Sequence, residues 1–371
     1  MKNTLLTDLL RAKPFPRRLT ASPRCKMRRM PFFLPLRLFP VLFVLMLPLV
    51  LVSPSLAETR DITVTFLGDC TIGSEDYLRG RDTSFDSALN KYGYSWFFDK
   101  VQPWVGTDDL TVANLEGVFS DSSSGKIKKT YNFRAPVSFT RVLTDSGIES
   151  VNLANNHTYD YGSRGLTDTI AALDSAGVGW FCSSSSVLRT WIFEKDNIKI
   201  GFLGMEISFW GNNQRIIADQ VKSLKDSGCQ VVVGIYHGGS EYAQHRNISQ
   251  EKIARRLISY GCNAVIGHHP HVLQGVDQVD GATVCYSLGN FVFGGNAKIK
   301  TPEALLTALF QITFSFDEDG NYIGQQLNII PAHTSSDSVF NTFQPQPVTG
   351  EEAEKVLAQI QQDTSFALEP F

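Results

Sequence analysis

Short apolar runs rich in β-branched residues alternate with helical patterns along most of the chain. Five runs predict buried strands: Ile62–Leu67, Leu110–Ala113, Ser150–Leu153, Val231–Tyr236 and Ala264–Ile266. Apolar residues at helical spacing predict four helices between them: Trp96–Val105, Gly165–Ala176, Gln214–Asp226 and Ile248–Tyr260. Because strands that alternate with helices are typical of βα units, we expect a core of such units.

Two other segments show the pattern of antiparallel hairpins. Trp191–Glu194 and Ile198–Leu203 flank one short polar turn, and Leu309–Phe316 and Tyr322–Ile330 flank another. A further helix is predicted near the C-terminus, over Glu351–Gln362. No linker-like change in composition divides residues 58–371, so we expect one α/β domain with two stacked sheets and helices outside them.

The first 57 residues have a different character from the rest. They hold ten Lys or Arg side chains against one acid, Asp8, and an apolar run from Leu38 to Val52 follows. A small-residue pattern ending at Ala57 completes the three parts of a secretory signal. We predict a signal peptide over residues 1–57, with an uncleaved N-terminal membrane anchor as the alternative. Export to the periplasm or the outer face of the cytoplasmic membrane is therefore expected.

Charge and cysteine content narrow the function classes. Residues 58–371 carry 24 basic and 36 acidic side chains, a formal net charge of −12. An acidic surface does not attract nucleic acid, so no nucleic-acid partner is expected. An anionic substrate would need a local cationic site, which bound metal can supply. The five remaining cysteines lack CxxC spacing, which favours small buried residues over a zinc ribbon.

Polar side chains follow each of the five predicted strands. In chain order they are Asp69, Glu116, the group Asn155-Asn156-His157 with Asp160 beyond it, His237 with Glu241 and Tyr242 beyond it, and His268-His269-Pro270-His271. In open α/β sheets, ligands bind at the carboxyl ends of the strands. We therefore expect these groups to meet at one sheet edge.

Imidazole, carboxylate and amide groups together form a mixed nitrogen and oxygen ligand set. Groups of this kind from several strands can bridge two divalent ions about 3.5–4 Å apart, the arrangement used for phosphoryl hydrolysis. Each motif alone has a plainer explanation: Asp69 in a turn, Glu116 in a solvated loop, His237 as a core histidine. Their shared position after strands predicts a metal site.

The order of these motifs resembles the capsule-synthesis CapA family, a branch of the calcineurin-like metallophosphoesterases. The matching motifs are Gly-Asp, Asn-Leu-Glu, Ala-Asn-Asn-His-x-x-Asp-Tyr-Gly, His-Gly-x-x-Glu-Tyr, Gly-x-His-Pro-His-Val and Tyr-Ser-Leu-Gly-Asn-Phe, over residues 62–294. The resemblance implies a four-layer α/β/β/α sandwich with two divalent ions, of Mn, Fe or Zn, at the sheet edge.

The resemblance also implies roles for individual residues. One ion would bind to four side chains: Glu116, Asn156, His237 and His269. The second would bind to three: Asp69, Glu116 and His271. His157 would be the general acid. Thr71 stands where the parent superfamily has a further histidine ligand, so the second ion has fewer ligands.

Several neighbouring residues keep two interpretations. Asp160 either holds the His157 imidazole or caps the following helix, and Glu241 either supports the ligands or is a helix N-terminal acid. Asn155, Tyr242 and Asn290 are candidates for contacts with substrate or with the ligands.

Two whole segments are also open to alternatives. Tyr286–Phe291 either lines the site or forms a turn that closes the sheet. Four basic residues lie near the second motif: Lys126, Lys128, Lys129 and Arg134. They form either a solvated charge run or a loop that receives an anionic polymer.

The preferred function is a metal-dependent hydrolase of a phosphoester or related bond in envelope polymer metabolism, linked by the resemblance to capsule or poly-γ-glutamate production. Its partners would be an anionic envelope polymer or phosphoester substrate and other capsule-synthesis proteins at the membrane. The alternative is a non-catalytic polymer-binding or export subunit, which Thr71 favours and His157 opposes. A nucleotidase of broad specificity is a third hypothesis, but the sequence shows no base-stacking signature for it.

Overall fold

The computed structural model describes residues 59–368, and the predicted leader over residues 1–57 lies outside them. The strands are β1 (Arg60–Thr71), β2 (Leu110–Leu115), β3 (Val118–Phe119), β4 (Arg134–Ala135), β5 (Ser150–Asn152), β6 (Gly179–Ser183), β7 (Leu188–Arg189), β8 (Trp191–Lys195), β9 (Ile198–Glu206), β10 (Val231–His237), β11 (Ala264–His268), β12 (Val276–Val279), β13 (Ala282–Cys285), β14 (Asn290–Phe293), β15 (Leu306–Phe316), β16 (Tyr322–His333) and β17 (Gln346–Pro347). The α-helices are α1 (Phe85–Tyr92), α2 (Gln102–Val105), α3 (Arg141–Thr144), α4 (Gly162–Ala176), α5 (Ile207–Asp226), α6 (Ile248–Tyr260) and α7 (Glu351–Gln361). Every predicted strand overlaps an observed one.

One predicted helix is wrong and another is longer than predicted. Trp96–Val105 forms three short helical turns instead of one helix, because Pro103 lacks an N–H group and can stand only in a first turn. Helix α5 begins at Ile207, and Asn213 interrupts it with a non-helical backbone. None of the helices within residues 59–368 is long and apolar enough to cross a membrane.

Fifteen of the described strands form one large curled sheet of mixed direction, and β3 and β4 form a separate parallel pair. The order of the large sheet is β12-β13-β11-β10-β9-β6-β5-β2-β1-β15-β16-β17, with β14 beside β1. The strands from β13 to β1 are parallel, and the hairpin of β15 and β16 continues the sheet antiparallel to β1. Strands β6 and β9 share a single residue pair, Ser183 opposite Met205, so the sheet divides there into two halves.

Three apolar cores show how the layers pack. The middle core joins side chains from both halves of the sheet, such as Val64 of β1 and Ile235 of β10. One outer core packs α3 and α4 against β2 and β5, and the other packs α5 and α6 against β9 and β10. The layers therefore run helix, sheet, sheet, helix. The predicted α/β fold is confirmed, with the two sheets joined into one.

The carboxyl ends of β1, β2, β5, β10 and β11 lie at one edge of this sheet, since these strands are parallel. Strand β1 extends beyond its predicted end at Leu67, and its register with β2 shifts between Phe66 and Asp69. Such an irregularity re-aims the side chains that follow it. Asp69 is therefore part of the strand itself, at the edge where the other polar groups collect.

Candidate functional site

The backbone at Gly68 and Asp69 is held close to a neighbouring loop. The Asp69 N–H donates to the Gly289 carbonyl at 2.8 Å, and a Cβ at position 68 would lie 2.3 Å from that same oxygen. Only glycine fits at position 68, because a real Cβ never approaches a backbone oxygen so closely. This contact fixes the Asp69 carboxylate in a fully buried position.

Glu116 directly follows β2, and its carboxylate is fully buried. Neither of its oxygens has a hydrogen-bond partner within residues 59–368. Three imidazole Nε2 atoms surround Oε1, at 3.6 Å (His237), 3.7 Å (His157) and 3.9 Å (His271). These distances are too long for hydrogen bonds, whereas two donors each about 2 Å from one ion lie roughly 3–4 Å apart. The surroundings of Glu116 therefore fit a bound cation.

Glu116, His237 and His269 form a first donor group, with donor atoms within 4.8 Å of one another. Nε2 of His237 lies 3.1 Å from Nδ1 of His269 and 2.8 Å from Oδ1 of Asn156. The structure thus brings together the four side chains predicted for one ion. Their role as ligands stays a prediction.

Asp69, Glu116 and His271 form a second donor group of the same dimension. Asp69 Oδ2 lies 3.1 Å from Nδ1 of His271, and Glu116 belongs to both groups. Thr71 contributes no fourth donor here; its hydroxyl is buried without a hydrogen-bond partner in the described part of the chain. This is the smaller ligand set that the sequence predicts for a second ion.

The pKa values of the two carboxyl groups in the second donor group shift in opposite directions. Burial raises the pKa of Glu116 well above its usual value, and the charge of Asp69 adds to the effect. Burial also opposes ionisation of Asp69, but hydrogen bonds and charge from His268 and His271 outweigh it and lower the Asp69 pKa well below its usual value. Burial opposes the charged form of His271 too, yet Glu116 and Asp69 raise its pKa to about 9.

The imidazoles of the first group are kept neutral. Burial lowers the pKa of His237 well below 6.5, and burial together with the charge of His271 lowers the pKa of His269. Since metals bind the neutral imidazole, these two side chains can accept an ion without losing a proton.

Three residues of the candidate site have backbones in the left-handed region. The φ angles are 99° at His269, 59° at His271 and 60° at Tyr242. The Tyr242 N–H donates to the Pro270 carbonyl at 2.7 Å, which ties this turn to the His-Pro-His segment. Such conformations cost about 1–3 kcal/mol each and cluster at functional sites.

His157 lies beside the first donor group. Its Nε2 faces Glu116, and its Nδ1 contacts Asp160. Its Nδ1 lies 2.7 Å from Oδ2 of Asp160, and its backbone N–H donates to the Asn155 side chain at 3.0 Å. Burial lowers the pKa of His157, and the contact with Asp160 partly opposes this shift. Helix α4 is capped at Tyr161 without a side-chain hydrogen bond, so the cap interpretation of Asp160 is wrong.

Two further predicted neighbours, Asn290 and Glu241, differ in their distance from the donor groups. Asn290 Oδ1 lies 3.0 Å from Nδ1 of His271, and Asn290 pairs with Asp69 across β14 and β1, so within Tyr286–Phe291 it is Asn290 that lines the site. The segment also connects β13 to β14. Glu241 is exposed in a turn, and α6 begins only after Asn247, so its interpretation as a helix N-terminal acid is wrong.

Two buried residues of the site, Asn114 and His268, lie in the strand-end motifs, but neither was assigned a role from the sequence. Asn114 Nδ2 donates to Asp69 Oδ1 at 2.8 Å and lies 3.3 Å from Nδ1 of His237. His268 Nδ1 lies 3.2 Å from Asp69 Oδ1. Asn114 had a detectable signal: it stands two positions before Glu116, and alternate residues of a strand share a face.

The basic loop is not a uniformly solvated run. Lys129 Nζ lies 2.5 Å from Oδ1 of Asp160, and Arg134 Nη2 lies 3.2 Å from Asp76 with its side chain 11% exposed. Lys126 also pairs with Asp76, at 3.3 Å, while Lys128 is exposed. The solvated interpretation is therefore wrong for Lys129 and Arg134.

Sequence comparisons identify relatives of the chain. The family described as bacterial capsule synthesis protein PGA_cap matches residues 63–295, more than half of the chain and the whole of the site. The capsule biosynthesis protein CapA of Bacillus anthracis is 26% identical over 331 residues, covering 83% of this chain and 75% of that protein. The PGA biosynthesis protein CapA of Bacillus subtilis (strain 168) is 28% identical, covering 68% and 70%.

Two further comparisons are more distant. A probable polyglutamine synthesis accessory protein of Mycobacterium tuberculosis is 26% identical, over 59% of this chain and 65% of that protein. Among solved structures, a putative 5'-nucleotidase from Staphylococcus aureus has a TM-score of 0.43 and 12% identity, covering 82% of this chain and 58% of that one. The family of the chain is shown by the sequence matches alone.

Proposed function

Because the chain belongs to the bacterial capsule synthesis PGA_cap family, we propose that it is an exported, metal-dependent hydrolase of a phosphoester or related bond in envelope polymer metabolism. The observation that carries this proposal is the Glu116 carboxylate, buried without a hydrogen-bond partner in the described residues and faced by three imidazoles. An unpaired buried carboxylate is costly, so a site that keeps one is suited to a cation.

The proposed roles follow from the contacts. The two donor groups would hold divalent Mn, Fe or Zn, which when bound supplies positive charge and lowers the pKa of water. His157 Nε2 faces the same carboxylate, so it would give its proton to the departing oxygen of the substrate. Asp160 would support this step, because its contact with Nδ1 favours the protonated imidazole against burial.

Substrate and location are part of the same proposal. The relatives carry names that concern capsule, PGA and polyglutamine synthesis, which supports an anionic envelope polymer or its phosphoester precursor as substrate. The leader pattern of residues 1–57 supports export to the outer side of the cytoplasmic membrane. N-terminal sequencing of the protein from its native membrane or medium tests this: a start at Glu58 is expected, and a retained apolar run would show an anchored form.

The test of the enzyme proposal is metal analysis of the purified protein together with turnover of bis(p-nitrophenyl) phosphate. We expect bound divalent metal and turnover that a chelator abolishes and added metal restores. Glu116→Gln is the control for contaminating hydrolases, since it removes the shared carboxylate of both donor groups. A wild-type protein that binds metal without turnover would contradict the hydrolase.

A non-catalytic polymer-binding or export subunit is the second candidate. Thr71 favours it, since the second donor group lacks a histidine there and has three donors. The same experiment separates the two candidates, because a binding subunit would retain polymer without hydrolysing any ester.

A further inference from the structure

Of the three lysines in the loop between β3 and β4, Lys129 is the one that is turned inward. Its side chain is 24% exposed, against 43% for Lys126, and Lys128 is also exposed. Nζ of Lys129 lies 2.5 Å from Asp160 Oδ1, 2.9 Å from the Asn156 carbonyl oxygen and 3.1 Å from His157 Nδ1. The ammonium donates a hydrogen bond to the Asn156 carbonyl and forms an ion pair with Asp160 Oδ1, which has no hydrogen-bond partner in the described residues.

The Asp160 carboxylate that Lys129 contacts is fully buried. Its other oxygen, Oδ2, lies 2.7 Å from His157 Nδ1 and accepts the Phe133 N–H at 2.6 Å. Lys129 therefore occupies the one oxygen that these groups leave open. A buried carboxylate that loses its cation is left with an unpaired charge, which the surrounding backbone can relieve only by moving.

Lys129 also contacts the chain between the two functional side chains. The Asn156 carbonyl belongs to the peptide that joins Asn156 to His157. Asn156 and His157 lie in a turn after β5, so the orientation of the peptide that joins them influences where each of the two side chains points. Asn156 Oδ1 faces His237, and His157 Nε2 faces Glu116.

We propose that Lys129 is a positioning residue that fixes the peptide between Asn156 and His157, and so aims the candidate ligand and the candidate acid at once. This inference rests on the proposed function. Lys129 contacts Asp160, the Asn156 carbonyl and the Nδ1 side of the His157 ring, and its ammonium contacts none of the donor atoms of the two groups.

The experiment compares Lys129→Met with Lys128→Met in the metal-loaded, full-length protein. Lys129→Met should misplace the candidate acid without changing substrate affinity. It is therefore expected to lower kcat for bis(p-nitrophenyl) phosphate by about 10- to 100-fold, with KM within about threefold of the wild-type value. Lys129→Arg, which keeps the charge and the donors, should recover most of the loss. Lys128→Met should match wild type, since its side chain is solvated.

A second readout does not depend on turnover. The ¹⁵N imidazole resonances of His157, assigned by their absence in His157→Gln, should shift in Lys129→Met and remain unchanged in Lys128→Met. Unchanged His157 resonances together with wild-type kcat in Lys129→Met would overturn the proposal. If the wild-type protein shows no turnover, the hydrolase fails and these resonances alone decide the role of Lys129. Should Lys129→Met not fold, Lys129→Gln, which keeps one donor for Asp160, is judged by the same outcomes.

Discussion

The two donor groups share Glu116 but differ in how they are prepared for a cation. In the first group, burial keeps His237 and His269 neutral, and each imidazole is open to an ion near neutral pH. In the second group, the charge of Glu116 and the pairing of His271 with Asp69 raise the His271 pKa to about 9, against the effect of burial. A metal entering the second group must replace a proton and break that pair.

This difference predicts two sites of unequal affinity at one set of strand ends. We expect the first group, with Asn156 as a fourth donor, to bind its ion more tightly than the second. Thr71 adds to the inequality, because the second group has no further imidazole. The following predictions test the comparison, from the largest expected effect to the smallest.

Replacing the shared carboxylate should remove both ions at once. For Glu116→Gln we expect loss of all bound metal and of all metal-dependent turnover. In the metal-free protein the same change should raise the free energy of unfolding by about 1–3 kcal/mol, because burial opposes the charge of the Glu116 carboxylate and the Gln amide carries none. Metal analysis and denaturant unfolding measure the two effects, with Glu318→Gln on an exposed turn as the control. Retention of either ion would show that Glu116 is not shared.

Single histidine changes should separate the two groups. His237→Ala should lose the tight ion and the stabilisation it gives, about 2.7 kcal/mol when metal is present at 100 times its dissociation constant. His271→Ala should lose only the weaker ion. Titration of each metal-free variant with Mn²⁺ measures this. Equal metal content in both variants and wild type would contradict the ligand assignment.

His157 should affect catalysis without affecting metal, because it belongs to neither donor group. His157→Gln is expected to reduce turnover of a substrate with a poor leaving group by about 10²–10⁴-fold. With a nitrophenolate leaving group the loss should be smaller, since that oxygen needs less protonation. Equal losses on both substrates, or a lost ion, would show that His157 is a ligand or a structural residue.

The smallest effect is a pH dependence of stability with opposite sign in the two groups. The raised pKa of His271 stabilises the metal-free fold below about pH 6.5, and this contribution is lost as pH rises through about 9. The lowered pKa of His237 does the reverse: its contribution is present above about pH 6.5 and is lost as pH falls below it. The free energy of unfolding of each variant, measured across this pH range, checks this. His271→Asn should lose the slope that His271 causes, and His237→Asn should lose the slope that His237 causes. Slopes of the same sign in both would refute the comparison.

Much of this candidate site could be predicted from the sequence, since each candidate ligand lies at the end of a strand whose apolar pattern is clear. The strand ends at Glu116 and His237 and the His-Pro-His segment needed only local patterns and the edge rule for parallel sheets. The individual side-chain contacts within that edge could not be predicted. His268 meets Asp69 from about 200 positions away, and no local pattern shows which of three loop lysines turns inward.

The fold shows the same limit. The predicted helix over Trp96–Val105 is wrong because Pro103 interrupts it. The proline is a local signal, but the prediction gave more weight to the spacing of the apolar residues. The joining of the two sheets depends on the single pair between Ser183 and Met205, which follows from packing of both halves around the middle core.

The most direct test of the central claim is the anomalous scattering of crystals of the purified protein soaked in Mn²⁺. Two peaks are expected, both beside the Glu116 carboxylate. The stronger should lie against His237, His269 and Asn156, and the weaker against Asp69 and His271. Absence of any peak at Glu116, or a single ion bound without it, would contradict the account.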